Sequence, residues 1–244
     1  MSLAYIIVRA LIRLLLPTQM RLRARGAERC PRTGPLIIVA NHLGLLDPLA
    51  IGVHVRRQIY FLAKAEIFAW PVIGGVARLC GVVPVHRGAS DREAVRILND
   101  LLTQGKCVML MPEGTYPKVP LPPAMLPAKS GAAYLAVKTG APVLPVAITG
   151  TERVWYRARG WKIWHRPRVS VTFGEPYMPQ VLAGVGSKLA YHAVADEMGR
   201  HIAALLPPIY RGHYAAQVAT PVTTPASSGG LSHEEGLRQD PRIE

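Results

Sequence analysis

Two short segments carry the residues best suited to chemistry. In NHLGLLDP, residues 41–48, a histidine and an aspartate stand five apart, His42 and Asp47. An imidazole backed by a carboxylate is a general base with its orienter. The carboxylate accepts from one ring nitrogen and fixes the tautomer, and the other nitrogen takes a proton from a hydroxyl. Positions five apart on a straight helix diverge by about 140°, so the pairing requires His42 to precede the helix in a turn. Asp47 followed by Pro48 is such a helix start, with Asp as N-cap and Pro at the first helical position. Taken alone, the two residues need be no more than a cap and a turn residue. In MPEGTYPK, residues 111–118, Glu113 stands beside a Gly114–Thr115 turn. A carboxylate there binds substrate hydroxyls or holds the loop, and the Gly114 turn leaves backbone N–H groups to an oxyanion. A solvated loop acid is the plain alternative.

The elements that must position these segments are legible on either side of them. PLIIVA before Asn41 and KCVMLM before Pro112 read as buried strands, so both segments belong to one edge of a sheet, past the strand ends. QIYFLA, VVPV, PVLPVAI and RVSVTF complete a set of six strands. Helical stretches lie between them near residues 48–56, 70–79, 90–103 and 129–139, with a last one near 187–206. In the third, Ser90 and Glu93 form a capping box, Ile97, Leu98, Leu101 and Leu102 share one face, and Gly105 gives the stop. Strands alternating with crossover helices predict an α/β fold.

LAYIIVRALIRLLL, residues 3–16, is too short to span a bilayer, which takes roughly 20 apolar residues. It contains Arg9 and Arg13, and Pro17 ends it. On a helix the two arginines share a face while Ile6, Ile7, Leu11, Leu14 and Leu15 cover much of the rest, as expected of a helix lying in a headgroup layer with arginines reaching phosphates. Periodicity alone also allows an ordinary helix docked on its own domain.

The chain has 244 residues, 29 basic against 15 acidic, a formal +14. Beyond Tyr210 there are three basic and four acidic residues, so the excess lies before it. It concentrates in the first thirty residues and in TERVWYRARGWKIWHRPR, residues 151–168, where six basic residues alternate with Trp155, Tyr156, Trp161 and Trp164. Charge of this kind calls for an anionic partner, nucleic acid or membrane. The aromatic pattern suits a membrane-interface belt as well as base stacking, no nucleic-acid recognition motif accompanies it, and the apolar residues 3–16 favour lipid. Cys30, Cys80 and Cys107 are odd in number and lack metal-ligand spacing, as small buried hydrophobes in a reduced compartment would be. The histidines lack such spacing too, so no metal is expected.

Together the segments resemble the glycerolipid acyltransferases, the lysophosphatidate acyltransferase family. NHLGLLDP looks like that family's N-H-x4-D block and PEGT its E-G-T block. GVVPVHRG, residues 81–88, resembles the segment carrying a phosphate-binding arginine, APVLPVAITGT, residues 141–151, the proline-centred strand, and FLAKAEIFAWPVIG, residues 61–74, the stretch between the first two blocks. The resemblance covers about residues 25–175. It implies a mixed sheet with crossover helices preceded by an N-terminal amphipathic helix. It divides the chain into residues 1–24, a membrane-associating helix and linker, residues 25–210, the acyltransferase domain, and residues 211–244, a mobile tail.

The resemblance also implies roles: His42 as general base, Asp47 as its orienter, Arg87 as a phosphate ligand, and Glu113, Gly114 and Thr115 at the acceptor site. Where the family usually has a second phosphate-binding Arg, this chain has Tyr116, and His86 stands where Asp is common. Tyr hydrogen-bonds a phosphate but adds no charge, so Lys64 or Lys118 would have to supply it. The expected reaction moves a fatty acyl group from acyl-CoA or an acyl-carrier protein to the hydroxyl of a lysophospholipid, lysophosphatidate first. A lyso-lipid without a phosphomonoester is the alternative that Tyr116 suggests. The expected partners are these two substrates and an anionic membrane surface at the cytoplasmic face, with no nucleic acid and no cofactor. A non-enzymatic anionic membrane- or nucleic-acid-binding protein is the reading from another class.

Overall fold

The computed structural model describes residues 2–85, 92–115, 124–157, 166–180 and 186–218, the side chains of 155–157 apart. The chain runs α1 (Leu3–Gln19), β1 (Arg21–Arg25), β2 (Leu36–Ala40), α2 (Asp47–Gly52), β3 (Ile59–Lys64), α3 (Pro71–Leu79), β4 (Val83–Val85) and α4 (Arg92–Thr103). It continues with β5 (Cys107–Leu110), α5 (Gly131–Thr139), β6 (Val143–Thr149), α6 (Glu152–Arg157), β7 (Arg168–Phe173), α7 (Ser187–Leu205) and α8 (Ala215–Val218). The strands form one seven-stranded sheet in the order β1-β7-β6-β2-β5-β3-β4. Its pairs are parallel except β6 with β7, so the sheet is mixed, as the family resemblance implied.

Central strands covered on both faces read as unbroken apolar runs, and LIIVA of β2 is buried at every position. Helices α4, α5 and α7 pack on one another and on β5, β2 and β6. Their buried residues, with those of the strands, form the main core. Because β2, β3, β4, β5 and β6 run the same way, the loops that follow them emerge at one edge, which we call the carboxyl edge. The loops that precede them form the amino edge.

Several expectations are corrected. Residues 21–25 are not a linker. RLRAR is a strand paired in parallel with β7, its three arginines exposed and Leu22 and Ala24 half-buried between them. Charge along an outer strand blunts its unpaired backbone, which is also why a strand so basic reads as a charge cluster. Helix α1 passes through Pro17 to Gln19, since near a helix end the missing N–H removes only one bond. The tail does not begin at 211. Tyr214 is fully buried and donates from its hydroxyl to Asp196, while accepting from the Ala128 N–H at 2.9 Å. Helix α6 occupies part of the expected basic-aromatic segment; Trp161 and Trp164 lie outside the described residues, as do Ser90 of the capping box and residues 219–244.

Helix α1 is held by one stripe and exposes another. Tyr5 and Leu16 are buried, and the Tyr5 hydroxyl accepts from the Ile59 N–H at 3.3 Å. Leu3, Ile6, Ile7, Leu11, Leu14 and Leu15 are exposed, at the helical spacing that makes a continuous stripe. On α3 and just before it, Trp70, Val72, Ile73 and Leu79 are exposed as well, and α3 packs against α1. The arginines are not on this stripe. Arg9 donates to the Val53 carbonyl at 3.2 Å, on the domain side. No described helix is long and apolar enough to cross a membrane.

Candidate active site

At the carboxyl edge the polypeptide leaves β2 at Ala40 and turns. Asn41 enables the turn. Its side-chain amide donates to the Ile148 carbonyl at 2.9 Å, and its carbonyl accepts from the Ile148 N–H at 2.8 Å. The amide thereby takes the place of a backbone rung between β2 and β6, freeing the main chain to carry His42 off the sheet. Asn41 is fully buried, where an unpaired amide would be costly.

His42 and Asp47 meet as predicted: Nδ1 lies 2.8 Å from Asp47 Oδ2. Asp47 is not, however, the N-cap. The cap position of α2 is Leu46, with no side-chain cap bond, and Asp47 opens the helix. Its carboxylate is turned back onto the preceding turn. Oδ2 accepts from the Leu43 N–H at 2.6 Å and from the Gly44 N–H at 2.8 Å, and the Thr151 hydroxyl donates to Oδ1 at 2.5 Å. The carboxylate is 0% exposed, while the His42 side chain remains 19% exposed. Three donors converge on Oδ2, so the oxygen behind the imidazole is held in place before any substrate binds, and the Nδ1–H tautomer is the one it selects.

Glu113 is 2% exposed, which removes the solvated-acid alternative. Its Oε1 accepts from the His42 N–H at 2.8 Å and its Oε2 from the Leu126 N–H at 2.7 Å. Of the two roles left open, the carboxylate performs the structural one: it ties the turn after β2 to the loops after β5. Burial pushes its carboxyl up to about 7, with the two N–H bonds and the nearby His42 pulling the other way. Gly114 has a φ of +69°, where a side chain would be strained. Its N–H donates to the Met111 carbonyl at 2.9 Å, so it closes the turn and is not left for an oxyanion. Thr115, exposed, follows it.

Lys64 ends β3, half-buried, at this same edge. Strand β4 ends at Val85, two residues before Arg87. Arg87, His86, Tyr116 and Lys118 lie outside the described residues. Three residues of this edge escaped the sequence reading. Thr151 carried the signal of a hydroxyl just past a strand parallel to β2. Asn41 adjoins the histidine, where a buried strand end needs a polar partner. Lys129 places its ammonium 3.0 Å from the position a Cβ would take on Gly114, and nothing in its local pattern distinguished it.

The fold and this edge define a class: a mixed α/β sheet whose strand ends hold a histidine on a buried, locked carboxylate. The family model described as Acyltransferase matches residues 21–149, and the chain belongs to that family, the glycerolipid or lysophosphatidate acyltransferases. A chloroplastic 1-acyl-sn-glycerol-3-phosphate acyltransferase of Brassica napus is 33% identical over 133 residues, 53% of this chain and 38% of that protein. A 1-acyl-sn-glycerol-3-phosphate acyltransferase of Bacillus subtilis is 24% identical over 192 residues, 78% of this chain and 91% of that one. The crystal structure of the 1-acyl-sn-glycerophosphate (LPA) acyltransferase PlsC from Thermotoga maritima superimposes with a TM-score of 0.59 at 25% identity, covering 79% of this chain and 75% of that one. The chain spans less than half the length of the first curated relatives it matches.

Proposed function

We propose that this protein transfers a fatty acyl group from a thioester donor, acyl-CoA or acyl-carrier protein, to the hydroxyl of a lysophospholipid, with lysophosphatidate as the acceptor and phosphatidate as the product. The observation that carries the reading is the His42–Asp47 pair with three N–H groups fixing Asp47 Oδ2. Asp47 accepts from Nδ1–H, leaving Nε2 as the base. Nε2 takes the proton of the acceptor hydroxyl as its oxygen attacks the thioester carbonyl. The tetrahedral intermediate collapses by breaking the C–S bond, and the proton on Nε2 passes to the departing sulfur. The buried charge of Asp47 stabilises the imidazolium between the two transfers. Arg87, with Lys64, Lys118 and the hydroxyl of Tyr116, would meet the acceptor headgroup, and Thr115 would line its site. The activity for which the Brassica, Bacillus and Thermotoga relatives are named supports this acceptor.

Tyr116 favours a second reading, an acceptor without a phosphomonoester. It keeps the chemistry and changes the headgroup. The exposed apolar residues of α1 and α3 support attachment to a membrane surface from one side, peripheral or monotopic, with the substrate drawn from the bilayer. The test is an assay of the purified chain with labelled acyl-CoA against a panel of lyso-lipids, beside His42→Ala. The substitution is expected to reduce transfer at least about a hundredfold with the fold intact. Undiminished transfer by His42→Ala removes the mechanism. A wild-type preference for lysophosphatidylcholine over lysophosphatidate, reversed by Tyr116→Arg, selects the second reading.

A further inference from the structure

A cavity of about 300 Å³ lies at the amino edge, the side of the sheet away from His42. It is lined by Arg9 and Arg13 of α1, Arg32 from the segment before β2, and His54 and Arg56 from the segment before β3, with Glu28 among the other residues. Four guanidiniums and an imidazole against one carboxylate is an excess of like charge whose mutual repulsion a bound anion would relieve. Among the described residues the donors are not consumed internally: Arg9 uses Nη2 on the Val53 carbonyl, but its buried Nε has no partner there, and neither does the buried Nε2 of His54. No ion pair joins Glu28 to any of these arginines among the described residues. Burial and then the charges of Arg13 and Arg9 hold the His54 imidazole below its ordinary range, which is the field an anion in the cavity would offset.

We propose that this cavity is a second anion site, built for a phosphomonoester or inorganic phosphate and separate from the acyl-transfer site. The ligand chemistry follows from the lining. Guanidinium groups from three chain segments line one cavity, and guanidinium forks suit tetrahedral oxyanions with several oxygens to share. The sheet sets the separation: β2, five residues long, puts roughly 16 Å between the edges at about 3.3 Å per residue. A group bound here cannot be the acceptor phosphate held beside His42. Helix α2 ends at the cavity, but it has six residues, and the carbonyl of Val53 is already covered by Arg9. Two sources fit this chemistry: a phosphomonoester lipid headgroup, because α1 contributes Arg9 and Arg13 while its other stripe is exposed and apolar, or free phosphate. The inference does not rest on the acyl-transfer reading.

The test titrates inorganic phosphate into the full chain at fixed pH and reads the imidazole proton signals of His54, assigned by their loss in His54→Asn. That readout is local to this cavity and blind to phosphate beside His42. The variant Arg13→Gln/Arg32→Gln/Arg56→Gln removes three exposed arginines from the lining. The control Arg21→Gln/Arg23→Gln/Arg25→Gln removes the same charge from the exposed positions of β1. A saturable shift that weakens at least about tenfold in the first variant and stays within about twofold in the second supports the site. Absence of a saturable shift, or equal weakening in both variants, overturns it. Circular dichroism melts check both folds, and Arg32→Gln alone, expected to weaken the shift a few-fold, replaces the triple variant should that not fold. Sedimentation with phosphatidylcholine vesicles containing phosphatidate, against phosphatidylcholine alone, separates the sources. Loss of the phosphatidate preference in the pocket variant assigns a lipid headgroup, and its retention, with the His54 shift weakened, assigns free phosphate.

Discussion

The two edges of the sheet bury charge in opposite senses. At the carboxyl edge Asp47 and Glu113 accept from the backbone N–H groups of Leu43, Gly44, His42 and Leu126. At the amino edge the buried Arg57 donates to the backbone carbonyls of Pro31, Gly34 and Gly105. Glu113 and Arg57 join segments distant in sequence, while Asp47 closes its own turn, and the sign follows from which backbone group the turn leaves over. The consequences differ. The acidic edge closes on itself and leaves a partly exposed imidazole as its outward product, whereas the basic edge has Arg57 occupied beside a cavity with donors left over among the described residues. On the proposed readings, reaction chemistry falls to the first because a base must be held before substrate arrives, and ligand capture to the second.

The sharpest break in this comparison is at Asp47. Asp47→Ala leaves the Leu43 and Gly44 N–H groups without their acceptor and the imidazole without its orienter, so kcat should fall at least about a thousandfold, with a stability loss of about 3 kcal/mol. Asp47→Asn should be far milder than loss of the tautomer would make it. Three N–H donors converge on the Oδ2 position, and they select the amide oxygen over the amide nitrogen there, so Nδ1–H still has its acceptor. Only the charge opposing the imidazolium is lost, for about a 10- to 100-fold fall in kcat. Steady-state kinetics with chemical denaturation of both variants checks this, and equal damage in the two refutes the converging-donor argument.

Arg57→Ala breaks the other edge. It withdraws donors from three carbonyls and should cost about 2–4 kcal/mol of stability, while kcat at saturating substrate on the folded fraction should change less than about twofold, because its acceptors Pro31, Gly34 and Gly105 lie at the edge opposite His42. A urea melt and an activity assay well below the midpoint separate these. A large kcat loss with unchanged stability would show that the two edges are coupled.

Glu113 gives a smaller effect with a pH signature. Glu113→Gln keeps one acceptor and turns an amide NH2 toward the other N–H, at a cost of about 1–3 kcal/mol. The wild-type carboxyl titrates near 7 in the fold against 4.5 for the unperturbed group. The folded chain therefore holds the proton that the unfolded chain releases between these values. Its contribution is fully present below 4.5 and is lost as the pH rises through about 7. Denaturant midpoints at about pH 5 and about pH 8 should show a larger decline for wild type than for Glu113→Gln. Parallel declines would mean that other groups set the slope.

The sequence carried the carboxyl edge better than the amino edge, for a physical reason. His42, Asp47 and Glu113 follow buried strands at short spacing, so local pattern placed them on one edge, and six of the strands read correctly from apolar runs. What it lacked was the direction of side chains. Asp47 beside Pro48 has the residue types of a helix cap, and the turn that aims the Leu43 and Gly44 N–H groups at its carboxylate, with the Thr151 hydroxyl 104 residues away, is not written in those types. RLRAR reads as charge because an outer strand needs just two half-buried residues to pack. The Arg9–Arg13 pair reads as headgroup contacts, since the sequence cannot tell which stripe of α1 faces the domain. Arg57 and the cavity arginines meet only through long-range packing, which no local spacing records.

The smallest expected effect tests whether the locked carboxylate at the catalytic edge depends equally on both of its oxygens. Oδ2 is fixed by the Leu43 and Gly44 N–H groups and His42, but Oδ1 has the Thr151 hydroxyl, delivered from the loop after β6. Thr151→Val keeps the shape and removes the donor. A buried carboxylate oxygen that loses one hydrogen bond is destabilised by about 1–2 kcal/mol, yet the imidazole is oriented through the other oxygen. We therefore expect kcat to fall a few-fold, up to about tenfold, with the acceptor KM unchanged, and Thr151→Ser to restore the rate because its hydroxyl reaches the same oxygen. A structural role alone would lower stability in both variants without separating kcat from KM. If Thr151→Val matches Asp47→Asn in kcat, the orienting function is spread over the β6 loop as well as the turn after β2, and the carboxyl edge is held from two strands instead of one.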